Sequence, residues 1–170
     1  MATLYVQQKP GAGKWLALIL SILITEGIAF TASMFTRPEI SGWYATLTKP
    51  SFNPPNWLFA PVWTTLYLLI AIAAWLVWKN RHLHQAFGTA VFVYVIQLAL
   101  NFSWSFVFFG MHQILGGLVV IALLWLSIIA NMYYFLKFSK PAAWLLFPYL
   151  LWVSFASVLN FYIYLLNGQS

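Results

Sequence analysis

The 170-residue chain is 63% hydrophobic and 6% charged, with a mean hydropathy of +0.84. A soluble domain carries roughly a quarter charged residues, so this composition excludes one. It has no cysteine and only two acids, Glu26 and Glu39, which argues against disulfides, thiolate sites and paired-carboxylate catalysis. The net charge of +6 comes from eight cations on an apolar chain, a pattern of loop charges that orient membrane spans, with no nucleic-acid partner expected.

About 20 apolar residues cross ~30 Å of hydrocarbon, and the sequence predicts five such spans. They cover about 15–35, 57–78, 85–109, 114–138 and 142–166, so residues 1–170 form one all-α, five-helix transmembrane domain. The first span follows Lys9 and Lys14 as a signal peptide would. Its length, Glu26 within it and the lack of a small-residue cleavage site make it a mature span. The short hairpins near 79–84, 110–113 and 137–141 imply antiparallel neighbours.

Five spans put the termini on opposite sides. Lys9, Lys14, Lys79, Arg81, Lys137 and Lys140 fall on the N-terminal side, and Arg37 and Lys49 on the other. The positive-inside rule therefore predicts a cytoplasmic N-terminus. No repeat relates the halves, which disfavours an inverted-repeat transporter.

The segment 36–56 is a long loop holding Pro38, Trp43, Tyr44, Pro50, Phe52, Pro54 and Pro55. Prolines stiffen it and aromatics argue against disorder, so it is expected to cap one end of the bundle. Of the ten tryptophans, Trp15, Trp57, Trp78 and Trp144 fall at span ends, where interfacial belts form. Trp63, Trp75, Trp104, Trp125 and Trp152 fall deeper, where an indole N–H needs a partner.

On the third span Gln97, Asn101, Trp104 and Phe108 recur at helical spacing and form one stripe. On the fifth, Trp144, Pro148, Trp152, Ala156 and Asn160 recur every four residues. Pro61, Trp63, Tyr67 and Ile70 begin the second, next to the loop. Such faces meeting under a cap would make a flat apolar slot with a few fixed polar groups, as ligand pockets are built. Asn131 and Asn160 read as interhelical links. Glu26 carries a charge costing roughly 2.5–3.5 kcal/mol at mid-bilayer. It must face the interior, be protonated or pair, and a structural role is expected. His82 and His84 lie in a basic loop and His112 alone at a hairpin. No bound metal or cofactor is expected.

The chain resembles the TspO/MBR family, the tryptophan-rich sensory and translocator proteins. The resemblance lies in Trp43-Tyr44-Ala45-Thr46-Leu47-Thr48-Lys49-Pro50-Ser51-Phe52-Asn53-Pro54-Pro55 leading into Pro61-Val62-Trp63. It continues in Gln97 to Ser105 with Phe108-Phe109-Gly110, and in Trp144 to Trp152 with Phe155 to Phe161. It implies a five-helix bacterial membrane receptor or sensor, commonly a homodimer, that binds protoporphyrin-type porphyrins and benzodiazepine-type drugs, with sterols in some members. It implies a pocket lined by Tyr44, Pro54, Trp63, Tyr67, Asn101, Trp104, Ser105, Phe108, Trp152, Ala156 and Leu159. Light- and oxygen-dependent porphyrin breakdown at Trp63 and Trp152 is an alternative activity, and translocation of porphyrins or other small amphiphiles another. Arg37 and Lys49 are the cations available to porphyrin carboxylates.

The chain departs from the family pattern where animal members end a cholesterol motif on a cation, since Leu165, Leu166 and Asn167 stand here. Cholesterol specificity is therefore not expected. Phe92 and Ile96 replace small packing residues of the third helix, and His112 replaces a basic residue after it.

Overall fold

A computed structural model describes residues 12–168. Lys9, part of the charge count, lies outside them. The described residues form helices joined by loops, with no strand among them: α1 Ala12–Ser41, α2 Trp43–Thr46, α3 Phe59–Lys79, α4 Phe87–Ser105, α5 Ile114–Leu136, α6 Lys140–Leu145 and α7 Phe147–Asn167. Five segments are long and apolar enough to span a membrane, with α6 and α7 together forming the fifth. The protein is thus an all-α, five-span membrane protein.

The alternation of ends follows from the hairpins. His112, between α4 and α5, reaches Glu39 at the end of α1, and Asn167 at the end of α7 reaches Thr48 in the long loop. At the opposite end Asn80 Nδ2 donates to the Phe138 carbonyl across two hairpins, at 3.1 Å. The helices close a ring in the order α1, α3, α6–α7, α5, α4. Between apolar helices in lipid there is no hydrophobic drive, so close packing and interhelical hydrogen bonds hold the ring.

Three expectations are corrected. The first helix does not stop near residue 35 but runs to Ser41 with Pro38 inside it. A proline this close to a helix end removes one hydrogen bond without ending the helix, and Gly42 N–H still reaches the Pro38 carbonyl at 3.1 Å. The loop is correspondingly shorter and contains α2. The fifth span is not continuous: it breaks at Leu146, just before Pro148. Trp144, on the separate α6, is 65% exposed and Pro148 is exposed too. A four-residue repeat gains about 40° per step on a 3.6-residue helix, so the stripe starts off the core and reaches it only at Ala156 and Asn160. Ala156 and Asn160 of the stripe are buried as expected, and Tyr149, Val153 and Ile163 complete the buried face.

The third correction is Trp75, which is not deep. It lies one turn from the end of α3, stacks on Trp15 at 6.4 Å and donates from Nε1 to the Lys14 carbonyl at 2.9 Å.

Past Ser105, α4 widens into a π-helical turn, Phe106–Gly110. Its i to i+5 bond from Met111 N–H to the Phe106 carbonyl measures 2.9 Å. The extra residue turns the consecutive rings of Phe108 and Phe109 both inward, each 2% exposed. Gly117 of α5 packs directly behind them: a Cβ there would meet Phe108 Cδ2 at 2.8 Å.

Candidate functional site

The stripe on α4 faces the bundle axis. Gln97, Asn101, Trp104 and Phe108 are all buried, and their polar groups are tied across the ring. Tyr67 of α3 donates its hydroxyl to Asn101 Oδ1. Asn101 Nδ2 donates to the Tyr149 hydroxyl of α7 at 2.6 Å, and Gln97 Nε2 donates to the same oxygen at 3.1 Å. Asn131 of α5 donates to Gln97 Oε1 at 3.0 Å. One polar network therefore joins four helices where lipid could offer no substitute partner. Asn160 links α7 to α5 through the Ile114 carbonyl at 3.1 Å and accepts from Trp104 Nε1 at 3.4 Å. Trp125 Nε1 donates to Ser154 Oγ at 2.8 Å.

Against this network, on the side of α1, lies a cavity of about 200 Å³. Its inner wall is Trp63, Tyr67, Asn101, Trp104 and Ser105, with Phe59 above. The Trp63 and Trp104 rings are 6.2 Å apart at 34°, and Trp63 tilts against Tyr67 at 5.9 Å. Its outer wall is α1, through Glu26, Ala29, Ser33, Thr36, Arg37 and Ile40. The lining residues Phe30 and Arg37 on α1, and Ala60 and Thr64 on α3, are exposed. The mouth therefore opens between α1 and α3. At 1.5 Å per residue, Glu26 and Arg37 stand about 16 Å apart along α1, an acid at the inner end and a guanidinium at the loop end. The cavity offers flat aromatic faces, an amide, phenol and serine hydroxyls, and one cation within reach of solvent.

Of the eleven residues implied to line a pocket, the structure brings Trp63, Tyr67, Asn101, Trp104 and Ser105 to the cavity. Tyr44, Pro54, Phe108, Trp152, Ala156 and Leu159 lie outside its lining. Five of them are buried, and Trp152 is partly buried. Phe59 connects the two sets, meeting Tyr44 at 6.3 Å, Trp152 at 6.2 Å and the cavity itself. Trp152 also meets Trp63 edge-on at 6.5 Å, and its buried indole N–H has no acceptor among the described residues.

Of the α1 wall, the sequence pattern marks only Glu26 and Arg37. The wall's wider signal is Glu26, Ala29, Ser33 and Arg37, small or polar residues at helical spacing on an otherwise bulky span. Glu26, expected to play a structural role, lines the cavity.

The loop closes the end of the bundle by specific bonds. The buried Tyr44 hydroxyl donates to Asn53 Oδ1 at 2.6 Å, and burial pushes the Tyr44 phenol up to about 12. Lys49 Nζ donates to the carbonyls of Tyr44 at 2.7 Å and Leu47 at 2.9 Å and lies 4.9 Å from the Tyr44 ring centroid. It is spent on the loop and does not line the cavity. His112, expected to stand alone, stacks on Trp43 at 4.5 Å and meets Glu39 Oε2 at 3.0 Å. Its φ of +56° is a left-handed conformation that histidine adopts more readily than most. Among the described residues no three of His, Asp and Glu gather where they could hold a metal ion.

The profile of the TspO/MBR family matches residues 21–166. The chain is 47% identical over 153 residues to the tryptophan-rich protein TspO of Archaeoglobus fulgidus, covering 90% of this chain and 98% of that one. It is 47% identical over 156 residues to the protein of the same name from Chlorobaculum tepidum, covering 89% and 96%. With the tryptophan-rich sensory protein of Cereibacter sphaeroides it shares 38% identity over 145 residues, 85% of this chain and 88% of that one.

Proposed function

This chain belongs to the TspO/MBR family and is an integral, multi-pass membrane protein of that sensor and receptor class, and from that premise we propose that it binds porphyrins and flat drug-like aromatic molecules in the cavity between α1, α3 and α4. The observation that carries this reading is the single wall on which Trp63, Trp104, Tyr67 and Asn101 meet, with Arg37 at the loop end. A tetrapyrrole is a flat apolar disc with carboxylates on one edge. The indoles supply offset stacking, Asn101 and Tyr67 fix the ring by polar contact, and Arg37 takes a carboxylate as a charge-assisted pair. The cavity of about 200 Å³ is smaller than the roughly 300–1,000 Å³ of sites that enclose a ligand. One edge of the ring therefore rests in the mouth between α1 and α3.

Titration of protoporphyrin IX into the detergent-solubilised protein, read by tryptophan quenching, tests this. A guanidinium–carboxylate contact is worth about 1.5–3 kcal/mol. Arg37→Gln should therefore weaken the diacid by about tenfold or more and leave the dimethyl ester unaffected. Trp63→Ala should weaken both. Binding curves unchanged by either substitution rule the site out.

A second reading, light-driven porphyrin oxidation, is favoured by the contact between Trp63 on the cavity wall and Trp152 behind it. Dioxygen is the oxidant: the photo-excited ring takes an electron from the indole pair and passes it to dioxygen, and the indole radical is re-reduced by the ring, so that the ring loses the electron that dioxygen gains. Illuminated complex should then yield products that Trp152→Phe suppresses while binding persists; bleaching identical to that of free porphyrin rejects it.

A further inference from the structure

A second recess lies at the other end of the bundle, on the side of the hairpin between α3 and α4. It measures about 370 Å³ and is walled by Ala17, Leu20, Ser21 and Ile24 of α1, Trp75 and Trp78 of α3, and Phe87, Ala90 and Tyr94 of α4. We propose that it holds one acyl chain of an anionic phospholipid whose phosphate is gripped by Lys14, Lys79 and Arg81.

The wall chemistry selects hydrocarbon. Three of the four hydrogen-bonding side chains that line the recess, Ser21, Tyr94 and Trp75, are already engaged inside the bundle, and only the Trp78 indole N–H has no bond among the described residues. Ser21 Oγ donates to the Ala71 carbonyl at 2.8 Å, Thr25 and the Tyr94 hydroxyl share a bond of 2.9 Å, and Trp75 Nε1 donates to the Lys14 carbonyl at 2.9 Å. A polar ligand would find a single free donor there, the Trp78 indole N–H, on an otherwise hydrocarbon wall. At roughly 30 Å³ per water-sized group, the recess has room for about a dozen methylene-sized units, a large part of one lipid tail.

Charge selects the headgroup. Lys79 Nζ sits 5.5 Å from the Trp75 ring centroid, and the Arg81 guanidinium 4.3 Å from that of Trp78. The cations are thus mounted on the two tryptophans that line the recess. Lys14 begins the third side, one turn before Ala17. Arg81 spends one Nη1 bond on the Trp78 carbonyl, at 3.0 Å, and keeps the rest of its five-donor fork. Neither acid of the chain stands at this end: Glu39 pairs with His112 at the opposite one, and Glu26 lines the other cavity. A basic cluster directly above an apolar slot between spans is the arrangement that recognises an anionic lipid headgroup.

The test is quenching of the full chain reconstituted in phosphatidylcholine bilayers doped with dibrominated phosphatidylglycerol or dibrominated phosphatidylcholine. The contribution of Trp75 and Trp78 is read by difference against W75F/W78F. Trp144 is 65% exposed at the same end of the bundle but outside the recess, and is read against W144F. Each cation near an anionic lipid is worth roughly fivefold in affinity. With three cations the anionic lipid should therefore quench Trp75 and Trp78 at roughly a hundredth of the content of the zwitterionic one, while Trp144 shows little preference. K14Q/K79Q/R81Q removes the charge of two exposed lysines and of the half-buried Arg81 and should abolish the preference. Equal quenching by the two lipids, the same preference at Trp144, or a preference that survives the triple substitution overturns the proposal.

Discussion

Asn101 on α4 stands between two tyrosines, accepting from Tyr67 of α3 and donating to Tyr149 of α7 at 2.6 Å. A single carboxamide thus ties three helices and also forms part of the cavity wall. Asn101→Ala leaves the buried Tyr67 phenol without its acceptor, costing about 1–3 kcal/mol, while Tyr149 keeps its bond from Gln97. Thermal unfolding in detergent should show a clear loss. Asn101→Asp keeps the acceptor for Tyr67 and should lose less if the Tyr67 bond is the dominant one. A melting temperature unmoved by the alanine variant would mean that the network contributes nothing net.

Gly117 lets α5 approach the π-helical turn. A Cβ there would sit 2.8 Å from Phe108 Cδ2, 3.0 Å from Phe108 Cβ and 3.2 Å from Asn160 Oδ1. Overpacking a tight core costs about 1–3 kcal/mol, so Gly117→Ala should lower the melting temperature by several degrees. Gly88→Ala, where nothing lies within 4 Å, should leave stability unchanged or raise it through helix propensity. The pair of variants separates crowding from propensity in one experiment.

Tyr44 gives the loop an alkaline limit. An unfolded tyrosine loses its proton near 10, whereas burial holds that of Tyr44 to about 12 in the folded protein. The raised value stabilises the fold fully below pH 10, and that contribution is lost as pH rises through 12. Tyr44→Phe removes the titration together with the bond to Asn53. The variant should be less stable than the parent by about 0.5–1.5 kcal/mol near pH 8, and the gap should close by pH 11. A gap that widens with pH contradicts the assignment.

The sequence makes the α4 stripe legible because amides amid hydrophobic residues at helical spacing have only one place to go in a bilayer. Asn101, Trp104 and, from α3, Trp63 and Tyr67 reach the cavity as their spacing implies. The α1 wall was hidden because Ala29, Ser33 and Thr36 look like tolerated small residues in a lipid-facing span, and because Pro38 reads as the start of a loop. The α7 stripe failed from Trp144 to Pro148, where a repeat of four drifts and the helix breaks. Phe109 could not be placed from period alone, since the π-helical turn inserts a residue into the register. Tertiary demands, not local pattern, decide each of these cases.

Asn167 straps the loop to the end of α7. Its Oδ1 accepts from the Thr48 N–H and its Nδ2 donates to the Thr48 carbonyl, both at 2.9 Å. Losing two exposed bonds worth about 1 kcal/mol each should raise hydrogen exchange around Thr48 by roughly tenfold or more in Asn167→Ala. The cavity mouth lies between α1 and α3, not under this strap, so the variant should bind porphyrin within about twofold of the parent. Ala60→Phe, at the mouth itself, should hinder entry while leaving the melting temperature nearly unchanged, because Ala60 is exposed. If the strap variant instead loses affinity and the mouth variant does not, ligand enters through the loop, and Tyr44, Phe108 and Trp152 form its wall.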